Sequence, residues 1–240
     1  MVGKICRSVI LLVPLSFVIC YLSFPALAGD MIWSGPTDRR VIALTFDDGP
    51  NNEGNTELLD ILYKYGVKAT FFVIGSEVEK NPDAVHMMYD YGHEVGCHTY
   101  YHTRLGDVSV DKMVEGIKRT DDLIESITGE RPKFFRPPGG STSSALTKAL
   151  KEMGMKTVGW TINAEDFTEF TESFEIEENY QKVADELKEN VLTKASPGAI
   201  VLLHNGSKQT ILALPGIIEG LRNNGYGFVT MSELMNEEDL

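Results

Sequence analysis

The sequence is poor in cysteine and in positive charge, and each shortage removes a class of protein. Three cysteines occur in 240 residues. Cys6 and Cys20 fall in an N-terminal segment that reads as removable, which leaves Cys97 alone and no internal disulfide. The domain must hold together by its core. Lys and Arg number 22 against 35 Asp and Glu, a net charge of −13. That balance offers no basic face for phosphate contacts, so nucleic acid is excluded as a partner. Short-period repeats and low-complexity tracts are also missing.

The N-terminal segment differs from the rest. Lys4 and Arg7 precede an apolar run from Val9 to Phe24, and Ala26-Leu27-Ala28 places small residues where a signal peptidase reads them. Residues 1–28 are therefore expected to be a secretory signal and 29–240 the exported domain. An uncleaved membrane anchor is the competing reading, since the run approaches the ~20 residues a spanning helix needs. Tyr21, Pro25 and the Ala-x-Ala ending favour cleavage. Membrane contact is then confined to the signal segment, if it stays uncleaved. A monomer secreted or held in the cell envelope is expected.

Downstream, short apolar runs alternate with helix-period segments. Val41 to Phe46 and Ala69 to Ile74 read as buried strands, and between them Leu58, Leu59, Ile61 and Leu62 mark one helical face. Further strands are expected at 94–97, 134–135, 157–160, 200–203 and 228–229. Helices are expected near 77–91, 109–127, 142–153, 175–192 and 210–223. The alternation predicts an α/β fold of about seven parallel strands, as a distorted (β/α) barrel or an open doubly wound sheet. Both fold types bind ligands at the carboxyl ends of their strands. Asp47 and Asp48, His98, Arg136, Asn163 to Asp166, and His204 follow successive strands there.

Each motif has chemistry available to it. In Thr45-Phe46-Asp47-Asp48-Gly49-Pro50, alternation points neighbouring carboxylates to opposite sides, so one can face a metal and the other a substrate. A plain Asp-Asp-Gly-Pro turn is the bland reading. His98 and His102, four apart, share a face if the chain turns helically, a spacing that suits zinc. With Asp48 they make three ligands and leave positions open, the catalytic pattern. Arg136, before Pro137-Pro138-Gly139-Gly140, would hold Asp47 ionised and oriented if within reach. His204 follows the apolar run Ile200 to Leu203, where a buried strand opens to the ligand face. His86 and His93 sit at no strand's carboxyl end and read as ordinary structural histidines.

TFDDGP, HTYYH, FRPPGG, WTINAEDF and LLHN, in this order, resemble the five motifs of the polysaccharide deacetylases, carbohydrate esterase family 4. The resemblance covers about residues 38–236. It implies a distorted (β/α) barrel and a divalent metal, usually zinc, on Asp48, His98 and His102. It further implies Asp47 as general base, Arg136 steadying it, and His204 as general acid with Asp166 as partner. Gly139, Trp160 and Phe167 would line the groove for an N-acetylated polysaccharide. Three positions depart from the family pattern. Asn163 stands where an aspartate is common, Phe167 replaces a tryptophan, and Gly139 replaces an aromatic. All three bear on substrate fit more than on the metal or proton-transfer groups.

The resemblance implies hydrolysis of N-acetyl groups on peptidoglycan, chitin-like oligomers or an exopolysaccharide. An O-acetyl esterase of the acetyl-xylan type shares the motifs. A non-haem iron oxygenase also uses two histidines and a carboxylate, but needs neither Asp47 nor His204. A non-catalytic glycan-binding relative is the third alternative.

Overall fold

The computed structural model describes residues 31–50, 55–166 and 177–236. The expected signal segment and Phe167 lie outside them. In chain order the elements are β1 (Met31–Ile32), β2 (Val41–Gly49), α1 (Asn55–Tyr65), β3 (Thr70–Val73), α2 (Gly75–Lys80), α3 (Pro82–Asp90) and β4 (Glu94–Cys97). There follow α4 (Val110–Thr128), β5 (Phe134–Phe135), α5 (Ser144–Glu152), β6 (Lys156–Val158) and β7 (Ile162–Asn163). The chain continues through α6 (Glu177–Lys194), β8 (Ala199–His204), α7 (Lys208–Asn223), β9 (Gly227–Phe228) and α8 (Met231–Met235). Among the described residues no helix is long and apolar enough to cross a membrane.

The strands form one parallel sheet in the order β1-β6-β5-β4-β3-β2-β8-β7, with β9 beside the start of β2. From β2 to β6 each strand lies next to its predecessor. Strand order never reverses there, which separates a barrel from a doubly wound sheet. The segment after β1 draws the edges together. Met31 and Ile32 pair with Thr157 and Val158 of β6, then Ser34 bridges Ala199 at the start of β8. The result is a curled α/β half-barrel. Among the described residues nine strands stand where about seven were expected. The two additions, β1 and β7, have two residues each, too few for alternation to mark.

Side-chain alternation sorts the sheet into two faces. Ile42, Leu44 and Phe46 pack outward with α1, α4 and α7 residues such as Leu58, Ile117 and Leu214. Phe46 stacks on Phe71 with ring centroids 5.2 Å apart, and each such buried ring contributes ~1.5–3 kcal/mol. Val41 and Ala43 join a separate inner cluster with Phe72, Phe134, Val158 and Ile200. Counting on in steps of two from these inner residues reaches Asp47, Arg136, Trp160 and His204. From Gly96, packed against Phe72, the same step reaches His98. The functional groups are the uppermost layer of the barrel interior.

The helices are delimited by ordinary signals. Ser109, Ser143 and Ser207 cap α4, α5 and α7, and Gly129 ends α4 at φ 77°. One helix expected over 77–91 is two, because Pro82 cannot continue a helix and instead opens α3. Cys97 faces the helical layer, and burial pushes its thiol up to about 12. It is a packing group and not a nucleophile.

Candidate functional site

Asp47 continues the inward alternation of β2, whereas Asp48 should face outward. It does not. Asp48 has φ 72°, and the β2–β3 register shifts between Asp47 and Gly49. Aspartate tolerates this left-handed conformation better than most residues, and here it turns both carboxylates toward one cleft. What separates the two carboxylates is a bulge and not opposite faces of the strand.

His98 and His102 also reach the cleft differently from expectation. Residues 98–102 form bends and not a helical turn, with φ 64° at Thr99 and 54° at His102. The imidazole centroids lie 5.1 Å apart. His98 Nε2 is 3.4 Å and His102 Nε2 3.3 Å from Asp48 Oδ1. One ligand atom from each of the three residues lies within 4.8 Å of the others.

This donor set fits a divalent metal on four counts. Asp48 Oδ1 is buried without a hydrogen bond, a cost that a cation would remove. The Arg136 carbonyl accepts from His98 Nδ1 at 2.7 Å, which fixes the tautomer and leaves the Nε2 lone pair for a metal. Burial would raise the Asp48 pKa, but the two histidines and His204 outweigh it and hold the carboxyl ionised. Burial lowers the pKa of His102, which favours the neutral, ligating form.

Arg136 is fully buried and bound on several sides. Its Nη1 donates to Asp47 Oδ1 at 2.7 Å and to Thr45 Oγ1 at 2.8 Å, and its Nη2 to the Gly159 carbonyl at 2.9 Å. The Phe72 ring lies 4.2 Å from the guanidinium carbon. Burial lowers the Arg136 pKa and the Asp47 charge opposes the shift; a guanidinium stays charged regardless. Asp47 is thereby fixed through Oδ1, while its Oδ2 lies 3.8 Å from His98 Nε2.

On the neighbouring strand β8, His204 pairs in register with Asp47. Its Nδ1 and Asp166 Oδ1 are 2.7 Å apart, and its backbone N–H donates to Asp166 Oδ2 at 2.7 Å. Thr210 donates to the same Oδ2, and Gln209 Nε2 to the Asp166 carbonyl at 2.9 Å. Burial would lower the His204 pKa, but the Asp166 hydrogen bond and charge, with Asp47 and Asp48, raise it overall. Sequence reasoning missed Thr45, Gln209 and Thr210. The only available signal was the Ser207 cap that starts α7 and aims Gln209 and Thr210 back at Asp166.

Two expected groove residues, Gly139 and Trp160, fall among the described residues and lie near this cleft. Gly139 has φ 70° in the turn after Pro138, and a Cβ there would sit 3.7 Å from Arg104 Nε. Arg104 thus shares the space that a larger residue at Gly139 would occupy. Trp160 packs on Gly140 and has its ring 5.9 Å from the Arg136 guanidinium. Asn163, expected at the groove wall, lines a cavity with His204, and its Oδ1 accepts from the Glu165 N–H at 2.9 Å, shaping the loop that carries Asp166. His86 pairs with Asp90 on the surface. His93 accepts from the Ala69 N–H, and burial holds its pKa at about 4.

Comparisons with known proteins agree with this geometry. The family model described as polysaccharide deacetylase matches residues 34–158. A peptidoglycan-N-acetylglucosamine deacetylase of Bacillus cereus is 37% identical over 210 residues, covering 86% of this chain and 93% of that protein. A peptidoglycan-N-acetylmuramic acid deacetylase of Bacillus subtilis is 32% identical over 212 residues, 88% of this chain and 77% of that one. The crystal structure of the Bc1960 peptidoglycan N-acetylglucosamine deacetylase superposes with a TM-score of 0.78 at 33% identity, covering 86% of this chain and 92% of its own. A structure from Bacillus anthracis described as a pseudoenzyme of carbohydrate esterase family 4 gives 0.77 at 31% identity, covering 88% of this chain and 70% of its own. On the family match over residues 34–158 and the relatives' identity across most of their own length, this chain belongs to the polysaccharide deacetylase family.

Proposed function

We propose that the protein is an exported, zinc-dependent hydrolase that removes N-acetyl groups from peptidoglycan or a related N-acetylated polysaccharide. The observation that carries this is the convergence of Asp47 and His204, one base and one acid from neighbouring strands, beside the Asp48-His98-His102 cluster. The relatives named above act, by their names, on peptidoglycan amino sugars. Export rests on the signal-like composition of residues 1–28.

Asp48, His98 and His102 would hold the ion, whose Lewis acidity activates water and polarises the acetyl carbonyl. Asp47, held through Oδ1 by Arg136, accepts the proton of the attacking water at Oδ2. The Gly139 N–H would donate to the developing oxyanion. His204 protonates the departing sugar nitrogen from Nε2, because Asp166 holds Nδ1. A catalytically silent relative, like the Bacillus anthracis neighbour, is the second reading. The intact set of acid, base and ligands counts against it.

An acetate-release screen tests the proposal. The purified 29–240 domain, offered peptidoglycan, chitin oligomers and acetyl-xylan, is expected to release acetate from an N-acetylated glycan. Release from acetyl-xylan alone would make it an O-acetyl esterase. No release from any of them would make it a silent relative.

A further inference from the structure

Trp33 is half exposed, beside the described site but outside every motif that defined it. Single exposed aromatics are common, but this one is held in place by its backbone bonds and its ring neighbours. It follows β1 directly, at the carboxyl end of β6, where the functional side chains also sit. The Gly159 N–H donates to the Ile32 carbonyl at 2.8 Å and Thr161 Oγ1 to the Trp33 carbonyl at 2.6 Å. Two residues on, the Gly35 N–H donates to Gly198 O at 2.8 Å. The backbone is therefore fixed before any ligand arrives.

The side chain is fixed as well. A Cβ at Gly159 would sit 2.5 Å from Trp33 Cε3, so only glycine admits the indole here. Its ring meets Trp160 edge to face, centroids 6.4 Å apart at 68°. Trp160 in turn faces Arg136, which holds Asp47. Trp160 thus links Trp33 to the Arg136–Asp47 pair, and half of the Trp33 surface stays open among the described residues.

We propose that Trp33 is a stacking platform for a pyranose ring of the polymer beyond the sugar being deacetylated. This rests on the reading of the protein as a polysaccharide deacetylase. The apolar C–H face of a pyranose suits a rigid indole, and the ring's hydroxyl edge stays in water. A large aromatic that loses no freedom on binding contributes efficiently to affinity. Trp33 is a positioning residue, so its contribution depends on chain length.

The test compares acetate release from the hexamer and the dimer of β-1,4-linked N-acetylglucosamine. Trp33→Ala is expected to lower kcat/KM on the hexamer about tenfold, through KM, and on the dimer less than about twofold. Trp33→Tyr should restore most of the hexamer rate while matching the melting temperature of Trp33→Ala. Equal losses on both lengths, or none on the hexamer, would overturn the platform. A second arm does not depend on turnover. The chain has two tryptophans, so Trp160→Phe leaves Trp33 as the sole indole reporter. Its emission should change on adding the hexamer, and an unchanged emission overturns the proposal. If no glycan yields acetate the deacetylase reading falls, and this titration still decides whether Trp33 binds sugar.

Discussion

Asp47→Asn is expected to retain its metal and lose about 10²–10⁴ of its turnover, the range that a positioned general base contributes. Asp48→Ala is expected to lose the metal itself. The contrast follows from where the adjacent carboxylates are tied. Asp48 Oδ1 faces both imidazoles, whereas Asp47 Oδ1 is bound to Arg136. Asp47→Asn also carries a structural cost, because the fully buried Arg136 loses its counter-charge. Removing one partner of a buried pair costs about 3–5 kcal/mol. Thr45 and the Gly159 carbonyl still accept from the guanidinium and lessen the penalty. Metal content and kcat are therefore to be measured well below the variant's lowered melting temperature. If both variants lose metal equally, the division of roles is wrong.

The second large effect concerns His204. His204→Ala should remove most of the rate while leaving metal occupancy intact, since His204 is not among the clustered ligands. Asp166→Asn is the sharper variant, because it predicts a direction. Burial alone lowers the His204 pKa, and Asp166 contributes most to the opposing rise. With that carboxylate neutral, the His204 pKa falls. His204 must be protonated when the sugar nitrogen leaves, so the alkaline limb of the pH–rate profile should move toward acid. The acid limb should move less. The stability linkage has the same sign. A histidine whose pKa is raised on folding contributes stability that is full below ~6.5 and lost as pH rises through the folded value. Asp166→Asn should flatten that dependence in the melting temperature. An alkaline limb that stays in place would show that Asp166 is not the functional partner of His204.

Much of this was legible in the residues, because the barrel's inner strands are short apolar runs that end on a chemically capable group. Alternation along β2, β5 and β8 correctly aims Asp47, Arg136 and His204 inward. It fails at Asp48, where a left-handed residue and a register shift bring an outward-facing position to the cleft. Helical spacing of His98 and His102 pointed to a pair that does cluster, but by another route, since left-handed residues at Thr99 and His102 replace the helical turn. β1 and β7 are set by tertiary pairing and leave no local pattern. Pro82 was visible, but apolar periodicity continues across it and suggested one helix. Thr45 and Thr210 look like any threonine until the charges they support are placed beside them.

The central claim is that catalysis needs a metal held by Asp48, His98 and His102. It is tested most directly by titrating metal back into chelated 29–240 protein while following acetate release from the glycan that the screen identifies. Activity should be absent without metal and should recover in proportion to zinc, reaching its plateau at about one equivalent per chain. Full acetate release from the metal-free protein would contradict it.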